Sequence, residues 1–257
     1  MNITPTSILK GLNTSLIGQS VLYYPSIPST MDVARKMVKE GASEGVVIVA
    51  GEQTRGRGRL ERRWLSPPGT SLSLSVILRP DIALLPKLNM VASLAVLQSV
   101  ERMGVLKPVI KWPNDILING RKVSGILIES IFEGNELKAA ITGIGINVEL
   151  DPTSFPEIST IATSLSIESG KEVSRRQVLY ALLEEFDQLY QGLNRGEPVY
   201  EKWLARVETL GKLVQVKWGD KIEEGHVESI NVDGSLILKR HDGSLITMVA
   251  GEVTLHK

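Results

Sequence analysis

Two hydrophobic periods alternate along this chain. Val21 to Ile27 reads as a short strand, and Gly45 to Ala50 is an apolar run rich in β-branched residues, the pattern of a buried strand. From Thr70 to Leu78 the period is two. Leu72, Leu74, Val76 and Leu78 face one way and Ser71, Ser73 and Ser75 the other, which predicts a half-buried strand. Helical spacing takes over elsewhere. Val33, Ala34, Met37 and Val38 share a face after Ser29 and Thr30, both good N-cap residues, and Gly41 stands where a C-cap is expected. Pro86 fits the first turn of a long helix running to about Met103, with Val91, Ala92, Ala95, Val96 and Val100 as its core stripe. Ser174-Arg175-Arg176-Gln177 is a capping box before Val178, Leu179, Leu182, Leu183, Phe186, Leu189 and Tyr190, and a shorter helix follows around Val199 to Val207.

Between the second and third of these helices lies a run of antiparallel strands: Val109 to Trp112, Asp115 to Ile118, Lys122 to Ile131, and Leu137 to Val148. Pro113-Asn114 interrupts the first pair, and Asn119-Gly120 is a strong hairpin signal. Gly143 and Gly145 inside the last strand signal a bulge or the close approach of a ligand. Residues 149–170 read as loop with one short helix. From about Gly211 the chain changes to short strands, Leu213 to Trp218, His226 to Ile230, Ser235 to Lys239 and Ser244 to Val249, with Asp233-Gly234 and Asp242-Gly243 turns. The pattern predicts an α+β chain in two parts, residues 1–208 and a small β-barrel at residues 209–257. Residues 1–20 offer one amphipathic turn, at Ile8, Leu9 and Leu12, too little for a helix-turn-helix domain.

Composition narrows the function. The 257 residues carry 29 basic and 29 acidic side chains, unlike a general polyanion binder, so no nucleic-acid partner is expected. The absence of cysteine excludes disulfides, thiolate metal sites and cysteine nucleophiles, and suits a reducing cytosol. No signal-peptide pattern opens the chain, and no apolar run is expected to span a bilayer. A soluble, cytoplasmic protein with no membrane partner is expected.

Residues 51–69 concentrate the chemistry. Gly56 and Gly58 alternate with Arg55, Arg57 and Arg59, and Arg62, Arg63 and Trp64 follow. Read alone, the stretch suits a solvated loop, an arginine–glycine nucleic-acid segment, or a mobile loop closing on an anion. No Walker A sequence or nucleophile elbow is present, Gly143-x-Gly145 lacks the dinucleotide-fold context, and the histidines, His226, His241 and His256, all lie in the C-terminal part. What remains is a set of donors, the arginine loop, Lys111 and Lys122, without an obvious nucleophile. Such a set suits a reaction in which the substrates attack each other and the protein positions them and offsets charge, as when a carboxylate attacks a nucleotide α-phosphate. Asn114 or Asp115 is placed to help hold Mg2+, and Trp64 reads either as a base-stacking residue or as core.

Five motifs in order resemble those of biotin–protein ligases. They are Ser29-Thr30 before a helix; Gly56-Arg57-Gly58-Arg59 with Arg62 and Trp64; Lys111-Trp112-Pro113-Asn114-Asp115; Lys122-Val123-Ser124-Gly125-Ile126-Leu127-Ile128-Glu129; and Gly143-Ile144-Gly145-Ile146-Asn147. The resemblance covers most of the chain and includes the small barrel, which looks like that family's SH3-like domain. It implies a class II synthetase-like catalytic domain: a mixed, mainly antiparallel sheet with helices on one side. It further implies an ATP- and Mg2+-dependent ligase that makes biotinyl-5′-AMP and passes biotin to one lysine of a biotin carboxyl carrier protein, and it makes a homodimer the expected assembly. By motif, Ser29, Thr30 and Gln53 fall at the ureido end of biotin, with Gly143 and Gly145 close by; Met31, Gly56 and Gly125 also fall at the biotin site, and Gly58 falls over the adenylate. Arg57 and Arg59 fall over the adenylate, and Lys122 contacts the carboxylate and α-phosphate, ranked above Lys111 for that role. Arg62, Trp64, Asn114 and Asn147 fall around the nucleotide, and Asp115 assists the incoming lysine. A lipoate or octanoate ligase of the same superfamily and a biotin-responsive DNA-binding repressor are the alternatives; operator binding in a gel shift would favour the latter. Three departures stand out: Met31 where the family often has Asn, Leu60 and Glu61 where it commonly has Arg and Gly, and His256 where some members carry Arg.

Overall fold

The computed structural model describes residues 11–104 and 106–255. Strand β1 (Val21–Tyr24), helix α1 (Thr30–Lys39) and β2 (Val47–Ala50) make a parallel crossover unit, and β3 (Ser71–Leu78) then pairs antiparallel with β2. A 3-10 segment at Ile82–Lys87 leads into α2 (Leu88–Glu101), so Pro86 lies in the segment before the α-helix rather than in its first turn. Strands β4 (Val109–Lys111), β5 (Asp115–Ile118), β6 (Arg121–Glu133) and β7 (Glu136–Asn147) complete a seven-stranded sheet of order β1-β2-β3-β7-β6-β5-β4. Asn119 and Gly120 both take positive φ, 51° and 75°, the backbone a two-residue hairpin of this hand needs. Helices α3 (Leu165–Ser169), α4 (Arg175–Asn194) and α5 (Tyr200–Leu204) follow. Strands β8 (Leu213–Trp218), β9 (Lys221–Ile230), β10 (Leu236–Lys239), β11 (Leu245–Met248) and β12 (Glu252–Leu255) form a second sheet of order β11-β10-β9-β8-β12. The last of these strands has no counterpart in the hydrophobic pattern. Ile8, Leu9 and His256 lie outside the described residues.

The core explains which side of the main sheet is open. Helices α2 and α4 pack on one side, against Val47, Val49, Leu72, Leu74, Val76, Leu78, Ile144 and Ile146. Helix α1 lies on the opposite side, where Met31, Ala34 and Val38 cover Ile48, Ile77, Ala139 and Ile141. The expected helices on one side are thus α2 and α4, and α1 covers one end of the other face. Both faces of β3 are covered, so all eight of its residues are buried and the expected half-buried strand is not observed. The α2 stripe is likewise wider than its spacing predicts: eleven of its fourteen residues are buried, because the helix sits between the sheet and α4. Ile82–Glu101, 20 residues, is long and apolar enough by length and composition to cross a membrane, against expectation, yet it serves here as the central core helix.

Candidate active site

On the α1 side, the inward positions of β3 and β7 change character halfway along. Ile77 and Ile141 lie under α1, and then Ser75 pairs with Gly143, Ser73 with Gly145, and Ser71 with Asn147. Gly145 also pairs with Gly125 of β6, and Gly125 with Asp115 of β5. Small or absent side chains in one row leave a floor on which other groups approach the backbone closely. The Trp64 indole lies on that floor: a Cβ built at Gly145 would sit 2.3 Å from its Cε2, and one at Gly125 would sit 3.3 Å from its Cζ3. The result is a cavity of about 560 Å3, lined by every one of the expected site residues except Gly56. Gly56 instead supports Trp64 from behind, its carbonyl accepting from the Trp64 N–H at 2.9 Å; a Cβ there would meet the Trp64 carbonyl oxygen at 2.4 Å.

One end of the cavity is polar and closed. Ser29 occupies the N-cap position of α1 without making a side-chain cap bond, and its buried hydroxyl has no protein partner. Thr30 donates its N–H to Gln53 Oε1 at 2.8 Å and its hydroxyl to the same oxygen at 3.1 Å, and accepts from Ser75 Oγ at 2.7 Å. Those contacts turn Gln53 into a fixed part of the wall. The Met31 thioether closes the corner over Gly143, where a Cβ would meet Sδ at 2.6 Å. A buried polar atom without a partner costs free energy unless a ligand completes it. The buried Ser29 hydroxyl, Trp64 indole N–H and Asn147 Oδ1 all line this cavity unpartnered, offering donors and acceptors to a ligand.

The middle of the cavity is positive. Lys122 Nζ lies 2.6 Å from Asp115 Oδ1 and 5.7 Å from the Trp64 ring centroid. Lys111 pairs in register with Asp115 across β4 and β5. Burial pushes the Lys111 ammonium below its ordinary pKa; Lys122 and Arg62 push the same way, and Asp115 and Glu252 oppose. Lys122 is held by backbone on both sides, its N–H donating to Ile161 and its carbonyl accepting from Thr163. The segment carrying those residues is pinned by Glu168, whose carboxylate accepts from Thr163, Asn119 and Arg121. Beyond it Asn147 donates to the Thr163 carbonyl at 3.0 Å.

The arginine loop covers this centre as a tight hairpin. Gly58 N–H donates to the Arg62 carbonyl at 2.7 Å, and Leu60 at the tip takes left-handed angles, φ 52° and ψ 40°. Its arginines part company. Arg57 reaches Asp32 at 2.6 Å, Arg59 donates to Asn114 Oδ1 at 3.0 Å, and Arg62 reaches Glu252 at 2.5 Å. Burial lowers the Arg59 pKa, partly opposed by Asp115 and Glu252. Sequence reasoning missed the contribution of β12, whose Glu252 and Val253 line the cavity, and that of Glu157, Ile158 and Ile161. The Gly251-Glu252 pair after the last hairpin was the available signal.

A family model described as biotin/lipoate A/B protein ligase family matches residues 23–147. The chain is 37% identical over 246 residues to the bifunctional ligase/repressor BirA of Bacillus subtilis (strain 168), spanning 94% of this chain and 76% of that protein. It is 33% identical over 218 residues to a biotin–acetyl-CoA-carboxylase ligase of Paracoccus denitrificans, with 82% and 90% covered. Among solved structures, the biotin protein ligase from Aquifex aeolicus in complex with biotin and ATP matches with a TM-score of 0.79 at 28% identity, covering 93% of this chain and 99% of that one.

Proposed function

The chain belongs to the biotin/lipoate A/B protein ligase family, and we propose that its cavity activates biotin with ATP and hands it to a lysine of a biotin carboxyl carrier protein. In the first step a biotin carboxylate oxygen bonds to the α-phosphorus and pyrophosphate leaves. In the second the acceptor amine bonds to the acyl carbon, AMP leaves, and the amine gives up a proton. The observation that carries this reading is the convergence of Arg59, Lys111, Lys122 and Asp115 between a closed polar end and the Asn147 end of one cavity. Two anions must meet there, and the cations offset their repulsion.

Position in the cavity supports the following residue roles. Ser29, Thr30 and Gln53 hold the ureido end of biotin, with Met31 and Gly143 against the ring. Gly125 and Gly145 make room for the ligand, and Lys122 bridges carboxylate and α-phosphate. Arg62, Trp64, Asn114 and Asn147 take the nucleotide, and Asp115 steadies the incoming lysine. Among the described residues no group of three or more His, Asp or Glu is placed to hold a metal. Asp115 is paired with Lys122 and Asn114 with Arg59, and a Mg2+ brought by ATP as its co-substrate ion would be held near them mainly through the phosphates. The division at residues 208 and 209, a cytoplasmic location and a homodimer complete the reading. The cysteine-free composition supports the location, and the outer edge of β1, paired in the sheet only with β2, supports a place for a second copy.

Incubation with ATP, Mg2+ and radiolabelled biotin should yield labelled adenylate, and lipoate should not; the reverse pattern would assign the lipoate ligase activity instead. Arg59→Ala should still bind biotin but release its adenylate faster, because a charge over the phosphate is gone. An unchanged dissociation half-life would remove Arg59 from the phosphate. Light scattering at the mass of one chain would exclude the dimer.

A further inference from the structure

Arg57 and Arg59 sit two residues apart in one hairpin but have different direct partners. Arg59 is bonded to a neutral amide, Asn114 Oδ1, and feels Asp115 and Glu252 only at longer range, which leaves its positive charge over the reaction centre. Arg57 turns to the rigid scaffold: its Nη2 lies 2.6 Å from Asp32 in the first turn of α1 and 3.9 Å from Glu129 of β6. Arg35 of α1 binds the other oxygen of Glu129. Two arginines and two carboxylates form a chain of ion pairs without net charge, with Arg35 at its outer end, so Arg57 has no surplus to offer a phosphate. Its members are about a quarter to half exposed, so each contact is weak and opens readily. A reversible tie between a loop and two fixed elements is what a lid needs.

Resting on the ligase reading above, we propose that Asp32 and Glu129 are positioning residues that latch Arg57, and with it the 56–64 loop, shut over the adenylate. The loop then has one arginine for closure and one for the phosphate. Because the latch is a half-exposed ion pair, salt weakens it, whereas a purely structural contact between the same elements would be insensitive to salt.

The test compares the full-length protein with Asp32→Asn/Glu129→Gln, and with Arg35→Gln as a control that leaves the latch intact. Hydrogen exchange of residues 54–64 without any ligand reads the latch directly. Escape of preformed adenylate, from 50 to 500 mM salt (about tenfold), reads its consequence. The double variant should exchange and release about three- to tenfold faster, and its release should lose the salt dependence seen in the parent. Arg35→Gln should match the parent in both. Arg57→Glu should open the loop, and Arg57→Glu with Asp32→Arg should close it again, which keeps the test alive if the double variant does not fold. Equal exchange in parent and double variant, or equal acceleration by Arg35→Gln, would overturn the latch. Failure of the parent to form adenylate would overturn the ligase reading, while the exchange experiment would still decide the latch.

Discussion

Single residues carry the shape and charge of the cavity. At Gly145 one methyl group is enough to evict the Trp64 indole, which would stand 2.3 Å from the new Cβ. Overpacking of this kind costs about 1–3 kcal/mol, so Gly145→Ala should weaken nucleotide binding roughly five- to 150-fold, measurable by titration calorimetry. At Glu168 burial raises the carboxyl pKa, but the bonds from Thr163, Asn119 and Arg121 outweigh it and hold the pKa below its ordinary value. A lowered folded-state pKa adds stability that is full above the unfolded value, about 4.3, and is lost as pH falls through the folded value. Glu168→Gln should therefore lower Tm at pH 7, and the gap to the parent should close below about pH 4 in thermal scans. The residue scale was also the least legible in sequence. Ser29 looks identical as a cap and as a ligand-binding hydroxyl, and only the absence of a cap bond separates the two. The partners of Thr30 lie 23 and 45 residues away, beyond the reach of local spacing.

Elements show why some patterns read truly and others did not. The Asn-Gly hairpin, the Ser174 cap and the first four strands of the second sheet follow from local chemistry, though β9 starts at Lys221, five residues before the expected His226. Periodicity names the face that must be apolar, but it cannot say what covers the other. That is why β3 and α2 are buried all round despite serines at alternate positions in one and a narrow apolar stripe in the other. Strand β12 escaped because Glu252–Leu255 is only four residues long, too short for its alternation to stand out. In the lid hairpin, Leu60 holds left-handed angles while its side chain is 62% exposed. That conformation costs a leucine about 1–2 kcal/mol, which asparagine largely avoids. Leu60→Asn should raise Tm by about 2–4 °C in calorimetry.

The two sheets act as one body. Trp112 gives its backbone N–H to Thr209 and its indole N–H to the Gly234 carbonyl, and Val214, Val216, Val227, Leu236 and Val253 share the core that holds α2 and α4. One shared core predicts one cooperative transition, with calorimetric and van't Hoff enthalpies equal within error. Cutting the chain after residue 208 should abolish that transition, since it would bare this core and leave the Trp112 N–H groups without partners. At the other end of the chain, Asp187 of α4 accepts backbone N–H bonds from Ser15, Leu16 and Ile17 at 2.9, 3.0 and 2.7 Å. That clamp sits with the helices on the side of the sheet away from the glycine floor. Ser15 to Ile17 are thereby held on the face away from the glycine floor, so a tether attached at Ser15 would leave from the rear of the molecule and not from the cavity.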